Sequence, residues 1–248
     1  MHVLMLTQYY APEIGAPQTR LRSTVAEIVR AGHQVTVLTA MPNHLHDGVF
    51  PGYEGKKFME EQVDGVRVLR SWIYAAMGRS WKRLGNYFSF VASSALVKGK
   101  VEDVDLVFCE SPPLFLGLTA AYMAKRYKAK LVMNVSDLWP DSVRAVAPGT
   151  VFAEGPLYKA AERLEAWLYK RSDSVTAVTP GIYDSLLGEK GLAPEKVSYL
   201  PNGIDPDMFR PAAADQRSQP KQFLFAGTLG FAQGLEIALE AAEVLRHR

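Results

Sequence analysis

The 248 residues, 48% hydrophobic and 22% charged, have the composition of an ordinary globular protein, with room for one large α/β domain or two modest ones. The 28 Lys and Arg residues nearly balance 26 Asp and Glu, which argues against a general nucleic-acid binder. Cys109 is the single cysteine, so an internal disulfide and a cysteine-based zinc site are excluded and a reducing, cytoplasmic compartment is expected. The opening run Met1-His2-Val3-Leu4-Met5-Leu6-Thr7 lacks a basic leader and a small-residue cleavage site, and it reads as a strand. The longest apolar stretches, residues 88–97 and 112–124, fall short of the roughly 20 residues that span a bilayer.

In chain order, residues 3–7 read as a strand, residues 17–31 as a helix with Leu21, Val25, Ile28 and Val29 at helical spacing, and residues 34–39 as a second strand. Buried-strand patterns recur at residues 66–71, 105–109, 130–135, 174–179 and 197–200, with helical patterns between most of them. This alternation predicts an α/β protein with a parallel sheet covered by helices on both faces. The best-defined helix is residues 156–171, where Leu157, Ala160, Ala161, Leu164 and Leu168 form one apolar stripe behind a first-turn proline. Thr179-Pro180 reads as a helix cap followed by a first-turn proline.

A boundary falls after Leu200, because residues 201–220 are rich in proline, alanine and polar side chains, a linker composition. One strand at residues 222–226, a glycine turn and one helix at residues 233–246 follow. A lone strand and helix of under ~40 residues cannot close a core. The expected organisation is therefore a first domain at 1–205, a linker at 206–221, and at 222–248 the opening of a second, incomplete domain. Strand, glycine turn and helix at residues 2–31 and again at 222–246 form a faint repeat.

Open parallel sheets bind ligands at the carboxyl ends of their strands, and that rule selects the segments worth reading for chemistry. After the first strand, Gly15-Ala16 lets backbone N–H groups approach a phosphate at a helix start, although the glycine spacing is not that of a dinucleotide fingerprint and a plain structural turn reads equally well. Arg20, in the first turns of that helix, is placed to meet an anion or to be a solvated surface residue. His44 and His46 stand in a loop without acidic partners at metal-ligand spacing, so no metal site is expected. Cys109 reads as a small buried side chain, and Glu110 follows it at a strand end. Ser136-Asp137-Leu138-Trp139-Pro140-Asp141-Ser142 places two carboxylates, two hydroxyls and an indole beside a sheet edge. Carboxylates accept hydrogen bonds from sugar hydroxyls and indole faces pack on sugar rings. A helix N-terminal region favours the same Asp and Ser residues for its own reasons.

Taken together, Tyr9-Tyr10-x-Pro12 with Gly15, Thr39-x-x-Pro42-Asn43, Asp137-Leu138-Trp139-Pro140-Asp141-Ser142, residues 179–182, and Pro201-Asn202-Gly203-Ile204-Asp205 with Phe209 resemble the family-4 retaining glycosyltransferases. The resemblance is closer to bacterial members that build cell-surface polysaccharide, such as the fucosaminyltransferase-like enzymes, and it runs in order along the whole chain. It implies a GT-B architecture of two facing Rossmann-like domains, of which this chain would supply the N-terminal, acceptor-side one and the start of the donor-binding one. It also implies transfer from a nucleotide-sugar donor with retention, without an obligatory metal ion or a protein nucleophile. By position, Gly15 and Ala16 match the loop facing the diphosphate, while Gly227 and Gly230 match the first phosphate-side turn of the donor domain. Asp137 matches the aspartate that follows the family's cleft histidine, and would be the catalytic residue. The histidine position itself is Ser136, and the family's arginine and lysine of the donor turn are Thr228 and Gln233 here. Ser136, Trp139, Asp141, Glu110 and Arg20 are the expected acceptor-binding residues. Without the rest of a donor domain the chain is expected to be inactive by itself.

Residues 65–101 carry seven basic side chains (Arg67, Arg70, Arg79, Lys82, Arg83, Lys98 and Lys100) and no acidic one, interleaved with Trp72, Tyr74, Met77, Trp81, Tyr87, Phe88 and Phe90. That mixture suits a face lying on an anionic membrane, here the inner face of the cytoplasmic membrane, from which a lipid-linked acceptor is within reach. Core aromatics with solvated charges would produce the same composition. Two other functions fit the pattern: a GT-B sugar-nucleotide epimerase, which needs several cleft acid/base residues, and a non-enzymatic, membrane-associated ligand-binding module.

Overall fold

The computed structural model describes residues 1–43, 48–76, 81–97, 99–146, 155–206, 209–211, 222–227 and 233–246. The chain forms two compact units, Met1–Asp205 and Pro206–Arg248.

The first unit alternates β1 (His2–Leu6), α1 (Ala16–Arg30), β2 (Gln34–Ala40), β3 (Phe58–Val63), β4 (Val66–Ser71), α2 (Trp81–Ala95), β5 (Leu106–Ser111) and α3 (Leu116–Tyr127). It continues with β6 (Lys130–Val135), α4 (Asp141–Val146), α5 (Pro156–Arg171), β7 (Ser174–Ala177), α6 (Pro180–Gly188) and β8 (Val197–Tyr199). The strands form one sheet in the order β3-β4-β2-β1-β5-β6-β7-β8, parallel throughout except for β3 against β4. Both faces of the parallel part are covered, which is why β1 is apolar from Val3 to Leu6, with all five of its residues buried. Alternation sends its side chains to two cores. Val3 and Met5 pack with Leu21 and Val25 of α1, whereas Leu4 and Leu6 join Phe90 of α2, Met123 of α3 and Leu168 of α5. Where α3 meets α5, Gly117 leaves room for Leu168: a Cβ there would lie 2.5 Å from Leu168 Cδ1.

Strand β4 coincides with the expected strand at residues 66–71, but its hairpin partner β3 has no counterpart among the expected strands. It is an edge strand whose Glu60 and Glu61 interrupt the apolar pattern, and it turns through Asp64 and Gly65, at φ 52° and 75°, the left-handed pair that a two-residue hairpin requires. It also corrects the reading of residues 65–101 as one basic-aromatic face. The Arg70 guanidinium is fully buried, donating to the Ala11 and Ala40 carbonyls and paired with Glu61, while Arg67 pairs with Glu60 and Phe90 is a core residue. Trp72, Tyr74 and Phe88 do stay exposed. Arg79, Lys98 and Met77 lie outside the described residues.

In the second unit the expected helix is present as α7 (Glu236–Leu245), but residues 222–226 form no strand. A strand needs a hydrogen-bonded neighbour, and the described residues of this unit supply none; Phe223 and Leu224 are 96% and 89% exposed. Gly227 is exposed, and Gly230 lies outside the described residues.

Candidate functional site

Because β1, β5, β6 and β7 run the same way, their carboxyl ends and the amino end of α1 gather at one edge of the sheet. The strand order reverses between β1 and β5, the switch point where such sheets open a crevice. Glu110, near the end of β5, is 2% exposed and would be costly to bury alone. Its Oε2 accepts from Asn134 Nδ2 of β6 at 2.6 Å, and its Oε1 lies 2.6 Å from Ser136 Oγ and is paired with the Arg20 guanidinium. Ser136 Oγ is also 3.0 Å from the Ser111 carbonyl, and Asn134 Oδ1 accepts from Thr176 Oγ1 of β7 at 2.7 Å. One carboxylate thus ties the helix that opens at Gly15 to the segment that follows β6. Arg20 and Glu110, both expected to bind acceptor, are bound first to each other.

The loop between β1 and α1 is held from inside. Glu13, 4% exposed, accepts from the Tyr10 N–H at 3.1 Å and the Asn43 N–H at 2.7 Å. Gln8 Nε2 donates to Asn86 Oδ1 at 2.6 Å, and Asn86 Nδ2 donates to the Tyr74 carbonyl at 2.8 Å. Gln8, Glu13 and Asn86 escaped the sequence reading, while Tyr10 and Asn43 entered it only as motif residues; a local signal was that Glu13 and Asn43 fall just past the ends of two adjacent strands. Gly15 precedes Ala16 and Pro17 at the start of α1 with an extended backbone, and a Cβ there would sit 2.5 Å from Gln18 Oε1. Gln18 is 1% exposed, and neither polar atom of its amide has a hydrogen-bond partner among the described residues. Burial pushes the Tyr9 phenol up, so Tyr9 borders this loop as a neutral hydroxyl.

Past β6, Asp137 is partly exposed and makes no hydrogen bond or ion pair with another described residue. Trp139 is partly buried, edge-on to Phe115 at 5.1 Å, and Phe115 tilts against Phe88 at 4.5 Å. Asp141 faces α5 and the end of α6: its Oδ1 accepts from Tyr158 OH at 2.6 Å and its Oδ2 pairs with Lys190. Lys190 Nζ lies 2.9 Å from Glu165 Oε2, and Glu165 Oε1 accepts from Tyr169 OH at 3.0 Å. Of the expected acceptor ligands, then, Ser136, Glu110 and Arg20 come together, Trp139 stands on the same segment, and the Asp141 carboxylate is engaged in a separate ion cluster. Cys109 is fully buried, and burial pushes its thiol up, as suits an inert core side chain. His44 and His46 lie outside the described residues. Among the described residues no group of three His, Cys, Asp or Glu comes together around a metal position.

The ion cluster makes a pH-dependent prediction. Burial raises Glu165 above the usual carboxylate range despite Lys190, whereas at Asp141 the hydrogen bonds from Lys190 and Tyr158 outweigh burial and lower it. Lys190→Met removes the cation from both. Glu165 then rises further, so its contribution is present below the unfolded value of 4.5 and is lost as pH rises through the folded value. Asp141 loses a contribution that exists only above its unfolded value. Both signs agree: the stability deficit of the variant, expected at about 2 kcal/mol near neutrality, should shrink toward acid pH. Urea unfolding of both proteins across that range checks it.

A doubly wound sheet with its polar loops gathered at the carboxyl edge, and a glycine opening the first helix there, is the architecture of GT-B-type glycosyltransferases. Residues 15–203 match the family model described as a glycosyl transferase 4-like domain, and the chain belongs to that family. It is 26% identical over 259 residues to the colanic acid biosynthesis glycosyl transferase WcaI of Escherichia coli K12, covering 99% of this chain and 63% of that protein. It is 23% identical to a glycogen synthase of Mycobacterium tuberculosis, covering 58% of it. The chain therefore spans about 60% of the length of these curated relatives. Among solved structures it is similar to sucrose-phosphate synthase from Thermosynechococcus elongatus, with TM-score 0.61 and 14% identity over 88% of this chain and 52% of that one. It is also similar to Anabaena HepE in complex with UDP-glucose, with TM-score 0.50 and 16% identity over 87% of this chain and 47% of that one.

Proposed function

We propose that the whole protein transfers a sugar from a nucleotide-sugar donor to a glycan acceptor carried on a lipid, with retention, in building a bacterial surface polysaccharide. The observation that carries this reading is the junction at Glu110, which fixes the Gly15 end of α1 and the Ser136–Asp137 segment as the two walls of one edge. WcaI, named for colanic acid biosynthesis, and HepE, solved with UDP-glucose, support the polysaccharide role and the donor class.

In this mechanism the backbone N–H groups at Gly15 and Ala16 face the donor diphosphate and stabilise the charge that develops on the leaving group. Asp137, the carboxylate of this edge without a protein partner among the described residues, receives the acceptor hydroxyl and its proton. Ser136 and Trp139 hold the acceptor, and Arg20 and Glu110 keep the two walls in register. The chemistry asks for no metal ion and no covalent protein intermediate.

No helix among the described residues is long and apolar enough to cross a membrane. The lipid-linked acceptor is reached from a peripheral position, through exposed Phe88 of α2 and exposed Leu96 just past its end, with Lys82 and Arg83 exposed toward its start. The test is sugar transfer by the whole protein from a panel of nucleotide sugars to lipid extracts, with sedimentation on anionic vesicles alongside. One donor should be consumed with a glycolipid product of retained configuration, and low-salt vesicles should carry the protein down. Hydrolysis or epimerisation without transfer would refute the transferase reading. Absence of low-salt sedimentation would refute the membrane face alone.

A further inference from the structure

The opposite edge of the sheet holds a groove of about 350 Å³ where α3 ends, β6 begins and α5 ends. Lys125, Lys128, Lys130 and Arg171 line it together with one acid, Asp173, and small apolar side chains. Lys130 opens β6 and Ser136 follows its last residue, so at ~3.3 Å per residue the groove lies about 20 Å from the Glu110 junction.

Its charge is not balanced from within. Both oxygens of Asp173 are occupied, Oδ1 by Lys130 Nζ at 2.8 Å and Oδ2 by the Leu131 N–H at 2.9 Å. Lys125, Lys128 and Arg171 have no carboxylate within ion-pair distance among the described residues, and Arg171 leans on the Trp167 ring at 5.7 Å. Basic side chains in the last turns of α3 and α5 complement the helix dipoles, which accounts for Lys125 and Arg171. That explanation does not reach Lys128. It follows the helix in the left-handed region, at φ 55°, where glycine is the favoured residue and a lysine carries a conformational cost.

We propose that this groove is a binding site for a phosphate-bearing anion, held by Lys125, Lys128 and Arg171. A guanidinium presents paired donors to phosphate oxygens and the two ammonium groups act as mobile point charges around them. Three uncompensated cations around a cavity of this size match a diphosphate better than a single carboxylate. The site is independent of the transferase reading, since no group at the Glu110 edge takes part.

Calorimetric titration of the protein with inorganic pyrophosphate, and separately with monomeric dihexanoylphosphatidic acid, tests it. Pyrophosphate should bind, more weakly as salt is raised, and the double variant Lys125→Gln/Lys128→Gly should bind it about tenfold more weakly or worse. Lys128→Gly alone should melt no lower than the parent, because glycine suits φ 55°, and should still lose affinity; this separates a lost site from a damaged fold. Tighter binding of the phosphatidic acid would assign the site to a lipid headgroup, and tighter binding of pyrophosphate to a soluble phosphate. Undiminished binding by the double variant, or no binding of either probe by the parent, would overturn the proposal.

Discussion

Glu110→Ala is expected to lower the free energy of unfolding by about 3 kcal/mol, among the largest effects of any single substitution outside the apolar core. The carboxylate is 2% exposed and serves three donors, Arg20, Asn134 and Ser136. Its removal leaves a guanidinium whose side chain is 12% exposed without its counter-charge, and an Asn134 amide that is buried with no acceptor. Unpaired buried charges and amides cost more than the pair contributes, because desolvation remains after the attraction is gone. Glu110→Gln should cost about half as much: it keeps an acceptor for Asn134 but not the charge opposite Arg20. Urea unfolding of the three proteins measures this. A loss below about 0.5 kcal/mol for the alanine variant would mean that water or a rearranged Arg20 satisfies the junction.

Asp137→Asn is expected to act oppositely, leaving the fold and removing the chemistry. Asp137 is partly exposed and unpartnered among the described residues, so the isosteric amide should change stability by less than about 0.5 kcal/mol. Proton transfer by a positioned carboxylate contributes about 10²-fold or more, so kcat of the whole protein should fall by at least about that factor with KM little altered. A rise in KM alone would make Asp137 an acceptor-binding residue, and unchanged kinetics would remove it from the site.

Much of this was legible before any coordinates, for physical reasons. Parallel strands buried on both faces are written as apolar runs, so β1, β2 and β4 to β8 could be found along the chain, and a first-turn proline with an apolar stripe marked α5. The β3 edge strand was not legible, since Glu60 and Glu61 on a half-exposed ribbon imitate a loop. Composition alone made residues 65–101 look like one cationic face. Only the β3–β4 hairpin, placing Glu61 on Arg70 and Glu60 on Arg67, reveals that two of those charges are paired and one is interior.

The candidate site was proposed from the sequence as a location rather than as a set of contacts. That ligand chemistry belongs at the ends of β1, β5 and β6 follows from sheet direction. That Arg20 meets Glu110, 90 positions away, depends on which strands are neighbours. Asp141 shows the limit well. An acid in the first turn of a helix has the same local pattern whether it turns toward a cleft or inward, and Lys190, 49 positions on, takes it inward. Residues 222–226 are apolar enough for a strand yet lack a described neighbour to pair with.

Hydrogen–deuterium exchange of the whole protein, with and without a glycolipid acceptor, probes the proposed acceptor edge at Glu110 most directly. Acceptor should slow exchange in residues 7–15 and in residues 136–142 together, since one occupant touches both walls, and Glu110→Ala should weaken that joint protection. Protection confined to one of the two segments, or appearing only elsewhere in the protein, would contradict a shared acceptor groove at this edge.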